Sequence, residues 1–491
     1  MKHCVMRGKD AIVSAQAQDG SDAPWRQLWQ PRLAGPLAPG GLETVLDQAV
    51  TTLQRIGLAC QHRGAIERLA SERGIEHRDG RLRFAPERVL DLVERARRSA
   101  RPAPDDGKLS LGGCWACLCY CDPATLQVRK ATTAEASQMA RLWDARGLGG
   151  VVPLMPGDAP PALATLAAER IALLESRGLG GGLPVLDPEE ARYLIEMNQA
   201  AGRRYGLLQQ VLISPLRLNH EGLETALQFL GRPDVEVSLA GSIPMLGVTC
   251  PLEPRAALVQ ALAEELGFAI VCHVLTGADG IGCPRVEPFD MRDATIVFGS
   301  PEWCLLRAMV FQVYEFVTGM PLRFGAFRSV AKQPDAQAAS ERMASVLWQA
   351  LLGSRRFGGV GQLSIDEVFS PQQVILDGEI LGYVQRVVAG LRWEAEGDAL
   401  AAISEGIAEG SFAGLESTAR RFRGFYSFPD LFRHWNVGRW QAEGARSVLS
   451  VAWDRARQLI AQSDYHLPQE QVREVEGVYR RASAYIRSRR G

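Results

Sequence analysis

The chain of 491 residues has no excess of either charge, since 55 Lys and Arg residues stand against 56 Asp and Glu residues. Without a basic surplus there is no electrostatic argument for binding nucleic acid. The stretch 1–25 has no apolar core of signal-peptide length, and no later run reaches the roughly 18 uninterrupted apolar residues that span a bilayer. We therefore expect a cytoplasmic protein that binds neither nucleic acid nor membranes.

Histidine is scarce, with seven residues in the chain, and no cluster of catalytic acids and bases is evident. His273 follows Cys272 on a predicted strand, where neighbours point to opposite faces and cannot form a bonded pair. A core histidine is therefore preferred to a catalytic base at this position. No GxGxxG opens a helix after the first strand, and no GxxxxGK[ST] occurs, so nucleotide binding at a glycine loop has no support.

Ten cysteines in so long a chain indicate reduced thiols rather than a secreted disulfide framework. Four of them, Cys114, Cys117, Cys119 and Cys121, lie within GGCWACLCYCD at 112–122. Structural zinc normally takes two CxxC pairs on separate knuckles, and one strand cannot fold four adjacent thiolates around an ion. Because free cysteine is a small apolar filler, a core or pocket wall is the preferred interpretation, and metal or redox chemistry is the alternative. No metal site is predicted.

The hydrophobic pattern divides the chain into four parts. Residues 1–35 mix Gly, Ser, Asp and Gln without period and predict a loose tail, while residues 36–110 predict a helical N-terminal portion. Residues 111–395 alternate short apolar runs with amphipathic helices. Residues 396–491 predict a mostly helical C-terminal extension rich in Trp, Phe and Arg.

Eight strand-then-helix units are predicted within the alternating part. Such alternation predicts parallel strands with right-handed crossovers, and eight units close a barrel. We therefore expect an α/β fold, a TIM (β/α)8 barrel with helical N-terminal and C-terminal additions, with a doubly wound open sheet as the alternative. The predicted strands are CWACLCY (114–120), VVPLM (151–155), GLPVL (182–186), LLQQVLI (207–213), VEVSLAG (235–241), FAIVCHVL (268–275), LRFGAF (322–327) and RRFGGVG (355–361).

Several short pieces follow one another in the second half of the chain. They are FD (289–290), GSPE (299–302), PDAQA (334–338) with Glu341, GVGQL (359–363), FS (369–370) and LDGEI (376–380). In order and spacing this set resembles the trimethylamine methyltransferase family, whose members transfer a methyl group from a methylamine to a corrinoid protein. The N-terminal run around 42–98 and the later FPDLFRHW are also similar to the family.

The resemblance implies a TIM barrel and a methyl transfer in which cobalt(I) of a partner corrinoid protein attacks an N-methyl carbon held at the barrel mouth. The corrinoid (cobalamin) is carried by that transient partner and is not held tightly by this chain. Trimethylamine enzymes of the family carry pyrrolysine before the PDxQA helix, whereas this chain has Arg328 there. Because a quaternary ammonium already leaves as a neutral amine, the loss of pyrrolysine favours a quaternary amine as substrate.

Arg328 adds a chemical argument about the substrate. A guanidinium binds a carboxylate in bidentate fashion, so we expect a betaine with its carboxylate near Arg328. Exposure of Arg328 to solvent, or its pairing with Asp335, is the alternative. The ammonium is expected against the faces of Trp115, Tyr120 or Phe327. The predicted substrate-binding residues are Trp115, Tyr120, Asp290, Phe327, Arg328, Gln362 and Ser364, and no catalytic residue is assigned.

A second departure from the family lies in GVGQLSIDE, where Ser364 stands at a position that is acidic in trimethylamine enzymes. Two other interpretations therefore stay open. One is a barrel that binds a small cationic metabolite or a corrinoid protein without turnover. The other is a different TIM-barrel enzyme, which would need an acid and base cluster at its strand ends. We expect a methanogenesis-related methyltransferase that forms a homo-oligomer.

Overall fold

The computed structural model describes residues 39–101, 104–241, 243–391 and 398–490. The predicted tail at 1–35 lies outside the described residues. The N-terminal portion combines helices with short strands. Its elements are α1 (Pro39–Arg55), β1 (Leu58–Ala59), α2 (Arg63–Ala70), β2 (Ile75–Arg78), β3 (Arg81–Phe84) and α3 (Pro86–Ser99).

This portion is not wholly helical as predicted, because the stretch HRDGRL at 77–82 belongs to an antiparallel hairpin of β2 and β3. Asp79 and Gly80 adopt positive φ angles of 53° and 72° at its tip. Such angles match the right-handed twist of the two flanking strands. The polar turn was recognised in the sequence, but its strands are too short to show a period of two.

The central part alternates strands and helices, and the chain as a whole is a mixed α/β structure. Its first half contains β4 (Ser110–Leu111), β5 (Cys119–Cys121), β6 (Val128–Lys130), α4 (Thr133–Ala145), α5 (Ala164–Glu175), α6 (Pro188–Ala200), β7 (Tyr205–Ile213), β8 (Arg217–Leu218), α7 (His220–Phe229), β9 (Val235–Gly241) and α8 (Pro254–Thr276). Its second half contains β10 (Phe289–Asp290), β11 (Thr295–Ile296), α9 (Pro301–Thr318), β12 (Phe324–Ala326), α10 (Ala336–Leu351), β13 (Arg356–Gly358), β14 (Gln362–Leu363), β15 (Val368–Phe369) and α11 (Pro371–Ala389).

Parallel pairings connect successive strand positions of this alternation. β12 pairs with β13, β13 pairs with β4, and β7 pairs with β9. Between β4 and β7, isolated parallel bridges link the regions of the predicted strands VVPLM and GLPVL to their neighbours. These bridges are Cys117–Leu154, Gly150–Leu179 and Pro184–Leu208. Strands that follow one another in the chain are therefore neighbours in space, as right-handed strand-helix units require.

One predicted strand is wrong, because FAIVCHVL at 268–275 belongs to the long helix α8. The sequence suggested a break at Gly267, but this glycine allows close packing within the helix. A Cβ there would lie 2.8 Å from Cδ2 of Leu53 on α1. The helix is apolar enough to cross a membrane by length and composition, yet 72% of its apolar window is buried within the protein. His273 therefore lies on a core helix, with Nδ1 2.9 Å from Oδ1 of Asp279.

A small second sheet lies beyond the C-terminal ends of β4 and β13. In it, β14 pairs antiparallel with β15, β15 pairs parallel with β5, and β5 pairs antiparallel with β6. Because β5 follows β4 and β14 follows β13 in the chain, this sheet collects the loops that leave those two strands. It contains Tyr120, Gln362 and the turn around Ser364.

The described residues 398–490 form five helices, which differ in how they pack. They are α12 (Ala399–Ala408), α13 (Glu416–Phe425), α14 (Val437–Ala442), α15 (Val448–Gln462) and α16 (Gln469–Arg490). Helix α15 packs on α4 and α11, and α16 packs on α5 and α6. Helices α12 to α14 bury almost none of their side chains.

Candidate functional site

Two loops at the C-terminal ends of β12 and β13 carry most of the predicted site residues. In parallel α/β folds this end of the strands is where binding and catalytic side chains gather. The loops touch at Gly359, whose φ is 76° and whose Cβ, if present, would lie 2.8 Å from the carbonyl oxygen of Phe327. Only glycine permits this approach, which explains the first glycine of GVGQL.

The glycine loop is fixed by a buried ion pair between Arg342 of α10 and Asp377 of α11, whose side chains are both fully buried. Arg342 also donates to the carbonyl oxygens of Gly359, at 2.8 Å, and of Gln362. The amide of Gly361 donates to Oδ2 of Asp377 at 2.7 Å. The pair therefore satisfies the loop's polar backbone and holds Gln362 in place.

The loop after β12 is fixed by Glu341, the acid that follows PDAQA. Its Oε2 accepts hydrogen bonds from Ser329 Oγ at 2.7 Å and from the Val330 amide at 2.9 Å. The Arg328 amide donates to Ser345 Oγ at 3.2 Å. The backbone around Arg328 is thus anchored to α10, which sets the direction of the guanidinium group.

The Arg328 side chain is partly buried, and acidic side chains lie in its surroundings. Its central carbon lies 4.3 Å from the centre of the Phe298 ring. Burial lowers the pKa of Arg328, while the negative charges of Glu287 and Asp366 act in the opposite direction. Burial likewise raises the pKa of Glu287 and of Asp366, with Arg307 and Arg328 respectively as the main opposing charges. The charges of these groups therefore affect one another's pKa values.

Two buried polar atoms of this site have no hydrogen-bond partner in the part of the chain that the structure describes. Glu287 and Arg307 are only 2% and 8% exposed, and Glu287 Oε2 and Arg307 Nε have no hydrogen-bond partner among the described residues. Arg285 donates to the carbonyl oxygen of Gly241, where β9 ends, at 2.7 Å. A buried charge without a partner is costly, so such groups are typical of a site that receives a polar ligand. We call Arg285, Glu287, Arg307, Arg328 and Asp366 the charged cluster.

The turn that carries Asp366 has unusual backbone angles. Ser364 and Ile365 both have positive φ, 48° and 71°, a region that β-branched residues rarely adopt. Their amides donate to the carbonyl oxygens of Ala331, at 2.7 Å, and of Ser329, at 3.0 Å. The turn is thus docked against the Arg328 loop, and this contact maintains the unfavourable angles that bring Asp366 into the cluster.

Two of the predicted substrate-binding residues, Trp115 and Gln362, are in contact. Gln362 Nε2 donates to the carbonyl oxygen of Trp115 at 3.0 Å and lies 3.6 Å from Cys117 Sγ. The Trp115 side chain is 44% exposed, so its ring is open to a ligand or partner.

Tyr120 and Phe327 are buried, with 3% and 1% of their surface exposed. Each ring has an arginine of this chain near its face: Arg129 at 5.5 Å from Tyr120 and Arg342 at 5.0 Å from Phe327. Burial also raises the pKa of the Tyr120 hydroxyl. Both rings therefore already take part in cation–π contacts within the chain.

Asp290 and Ser364 have polar partners of their own. Asp290 pairs with the exposed Arg292 at 2.6 Å, and hydrogen bonds from Arg292 lower its pKa to about 2. Ser364 Oγ donates to Glu367 Oε2 at 3.0 Å. Of the seven predicted residues, Arg328 is the one that lies within the charged cluster.

The cysteine run fits a packing role. Burial raises the pKa of Cys114, Cys117 and Cys121, that of Cys121 to about 11. These thiols therefore stay protonated at neutral pH, whereas the thiolate is the form that binds metals and attacks disulfides. Cys117 and Cys121 are fully buried, as small apolar fillers should be.

Four members of the charged cluster, Arg285, Glu287, Arg307 and Asp366, were not predicted from the sequence. Arg307 was detectable as a lone arginine in the apolar helix WCLLRAMVF, and Asp366 stands two residues after Ser364. Glu287 follows a loop without a recognisable pattern. Their proximity to Arg328 depends on contacts between distant parts of the chain, which local spacing does not reveal.

Comparison with known proteins identifies the family. Residues 197–484 match the model of the family Trimethylamine methyltransferase (MTTB), more than half of the chain. The chain belongs to this family. The matched region includes the charged cluster, the glycine loop and the Arg342–Asp377 pair.

Individual relatives of the family agree with this match. Trimethylamine methyltransferase MttB of Methanosarcina barkeri is 29% identical over 220 residues, which cover 45% of this chain and 44% of the relative. MttB of Desulfitobacterium hafniense is 26% identical over 347 residues, 68% of this chain and 69% of the relative. The chain spans about half the length of the Methanosarcina relatives it matches, 44% and 50% for two of them.

Among solved structures, the monomethylamine methyltransferase MtmB of Methanosarcina barkeri is similar over 90% of this chain and 86% of that chain. The two share 9% sequence identity, with a TM-score of 0.46.

Proposed function

We propose that this chain is a methyltransferase that moves a methyl group from a quaternary amine of the betaine class to the cobalt of a corrinoid protein. Membership of the trimethylamine methyltransferase family supports the reaction class. The observation that supports the substrate class is the charged cluster, in which the charge of Arg328 interacts with those of Glu287 and Asp366, and in which Glu287 Oε2 and Arg307 Nε have no hydrogen-bond partner among the described residues. A betaine is a zwitterion and brings one charge of each sign to such a site.

The carboxylate of the substrate is proposed to bind Arg328, and the positive charge of Arg307, which acts on Arg328, would add to the attraction. A carboxylate there would replace part of the water that burial removes from the guanidinium groups. The trimethylammonium end is proposed to lie toward Asp366, and the exposed ring of Trp115 offers it an aromatic face. Choline carries the same ammonium group without a carboxylate, so it would leave Arg328 unpaired.

The methyl acceptor is a substrate delivered by a partner, the corrinoid protein, whose cobalt supplies the nucleophile when the partner docks. A quaternary ammonium leaves as a neutral amine, so the residues of this chain need not donate a proton. Their task is to bind the carboxylate, orient one N-methyl group toward the docking face and exclude water. Arg328 provides the fixed point, and the glycine loop held by Arg342 and Asp377 packs against the loop that carries it.

We also propose the finer architecture expected from the sequence, a TIM (β/α)8 barrel at 111–395 with helical additions at 36–110 and 396–491. The parallel pairings from β12 through β13 and β4, and from β7 to β9, support this arrangement. A cytoplasmic location stays a prediction.

The reaction is tested by mixing the purified chain with a reduced corrinoid protein and a panel of betaines, with choline and trimethylamine as comparisons. We expect the spectrum of methylcobalt to develop with at least one betaine and not with trimethylamine. Binding of a betaine by calorimetry without methylcobalt formation would instead favour the alternative function, a barrel that binds a cationic metabolite without turnover.

A further inference from the structure

The segment 398–447, here called the C-terminal arm, exposes an unusual number of large apolar side chains. Helix α12 buries only Gly406, and neither α13 nor α14 buries any residue. The exposed apolar side chains, each between 42% and 72% accessible, are Leu400, Ile403, Ile407, Phe412, Phe422, Phe425, Tyr426, Phe428, Val437 and Trp440. The next helix, α15, returns to ordinary packing with Ala452 and Ala456 fully buried.

Helix α12 presents its apolar stripe to water. Leu400, Ile403 and Ile407 recur at helical spacing and are 72%, 51% and 70% exposed. A surface helix of a globular protein normally turns such a stripe toward the core. In the described part of the chain no residue covers this stripe, so it is accessible for contact with a partner.

The second half of the arm carries a preassembled aromatic cluster. The ring of Phe422 lies 5.4 Å from Tyr426 and 5.7 Å from Phe428, and Phe425 lies 5.0 Å from Tyr426. All four rings are about half exposed. Aromatic rings that are already packed against one another lose little conformational freedom on binding, which is why they are common at the centre of interfaces.

The arm is held to the body of the protein rather than extended from it. Arg386 of α11 donates to the carbonyl oxygen of Phe425 at 2.8 Å. Glu379 of the same helix accepts hydrogen bonds from the amides of Leu431, at 3.3 Å, and Phe432, at 3.4 Å. These contacts fix the backbone next to the aromatic cluster on α11.

The apolar area that the arm exposes is as large as an interface between subunits. The ten apolar side chains expose roughly 1,000 Å² together, since an aromatic side chain offers about 150–250 Å² when fully exposed. The largest apolar patch of a typical monomer is about 300–600 Å². A stable interface buries about 800 Å² on each partner, and strongly apolar interfaces are typical of subunits that stay associated.

The charges on the arm favour a second copy of this chain as the partner. Arg420, Arg423 and Arg439 share the arm with Glu405, Glu409 and Glu443. A surface with both signs of charge and a common apolar centre can be complementary to itself, as an isologous contact requires. We propose that the C-terminal arm is the contact through which two copies of this chain associate.

The proposal is tested by the mass of the full-length protein in solution, measured by sedimentation velocity over a dilution series. One variant combines Ile403→Asp with Ile407→Asp, and a second carries Phe428→Asp, because each places a charge in the apolar contact. The matched control is Leu351→Asp, at a leucine of α10 that is 58% exposed and lies outside the arm. We expect the wild type and the control to be dimers or larger, and the dissociation constant of both arm variants to rise at least about 100-fold.

All of the altered side chains are exposed within one chain, so each variant should keep its fold, which circular dichroism and the melting temperature check. Hydrogen exchange of α12 in the wild type adds an independent measurement, because its amide protection should fall as the protein is diluted. A monomeric wild type, or arm variants that associate like the wild type, would overturn the proposal. So would protection of α12 that appears only when another protein is added.

Discussion

Two arginines of this protein lie over phenylalanine rings, Arg342 fully buried and Arg328 partly buried, and their surroundings differ sharply. Arg342 lies 5.0 Å over Phe327 and pairs with Asp377, with both side chains fully buried and Arg342 also bonded to backbone carbonyls. Arg328 lies 4.3 Å over Phe298, and no ion pair within 4.0 Å ties it to an acid in the described part of the chain.

The difference indicates that the two arginines have different roles, one in stability and one in binding. Arg342 makes four hydrogen bonds to the loop and to Asp377, and its side chain is fully buried, so it is not accessible to a ligand. Arg328 has acids in its surroundings, Glu287 and Asp366, but none of them neutralises it by direct pairing. We therefore assign Arg342 to the stability of the site and Arg328 to recognition of the substrate, and each of the following experiments tests one side of that division.

The largest effect is expected from Asp377→Ala. Removing one partner of a buried pair leaves Arg342 as an uncompensated charge, so the free energy of unfolding should fall by about 3–5 kcal/mol. Urea denaturation measures this change. The matched control is Asp454→Ala, which breaks an ion pair with the half-exposed Arg446 and should cost less than about 1 kcal/mol. Equal losses in the two variants would contradict a structural role specific to Arg342 and Asp377.

The second effect concerns Glu265, a residue of α8 beside the charged cluster that is 8% exposed. Burial raises its pKa to about 7, against the opposing charge of Arg285. Because the pKa of Glu265 is higher in the folded than in the unfolded protein, protonation of this carboxyl stabilises the folded state. This contribution is complete below the unfolded-state pKa near 4.5 and is lost as the pH rises through about 7. Glu265→Gln should therefore make the protein more stable than wild type at pH 8, by up to about 3 kcal/mol.

At pH 4.5 the same variant should show no gain, because the wild-type carboxyl is then protonated. Denaturation curves at the two pH values provide the measurement, and Glu76→Gln, at an exposed residue, is the control that should show neither change. A gain that is the same at both pH values would mean that Glu265 is not titrating between them.

Arg328→Gln should affect binding more than stability. The dissociation constant for a betaine should rise about 100-fold, the loss of a charge-assisted hydrogen-bonded pair, while that for choline should change little. Calorimetry measures both constants. Arg97→Gln is the matched control, because Arg97 lies 4.7 Å over Phe316 away from the cluster. Equal weakening of betaine and choline would place the carboxylate elsewhere.

The smallest effect is expected at the strained turn. Asn tolerates positive φ better than a β-branched residue, so Ile365→Asn should raise the free energy of unfolding by about 1 kcal/mol. Ile365→Val keeps the strain and should give no gain. Both are measured by thermal denaturation, and a destabilised Asn variant would show that packing of Ile365 outweighs its backbone angle.

The regular parts of this fold were predictable because their signals are local. Ser300 and Ser370 cap α9 and α11 ahead of prolines, and the helix starts at these residues follow from the sequence alone. The continuation of α8 through Gly267 was not predictable. This glycine allows α8 to pack closely against α1 and does not mark the end of a helix. The predicted alternation of strands and helices does not depend on this one strand, because each of the other strand-helix units has its own hydrophobic pattern.

The site was only partly predictable, for the same physical reason. Arg328 could be found because the resemblance points to its position in the chain. The sequence could not reveal that Arg129 lies near the Tyr120 ring and Arg342 near the Phe327 ring, since both contacts form only after folding. The charged cluster likewise joins α9, the stretch before β10 and the turn after β14.

The central claim is that the chain demethylates a quaternary amine that carries a carboxylate. Its most direct test is a single-turnover experiment with reduced corrinoid protein, in which mass spectrometry measures the demethylated amine alongside the methylcobalt spectrum. The account predicts equal amounts of the dimethyl product and methylcobalt from a betaine, with far slower turnover of choline. Demethylation of trimethylamine with no turnover of any betaine would contradict it.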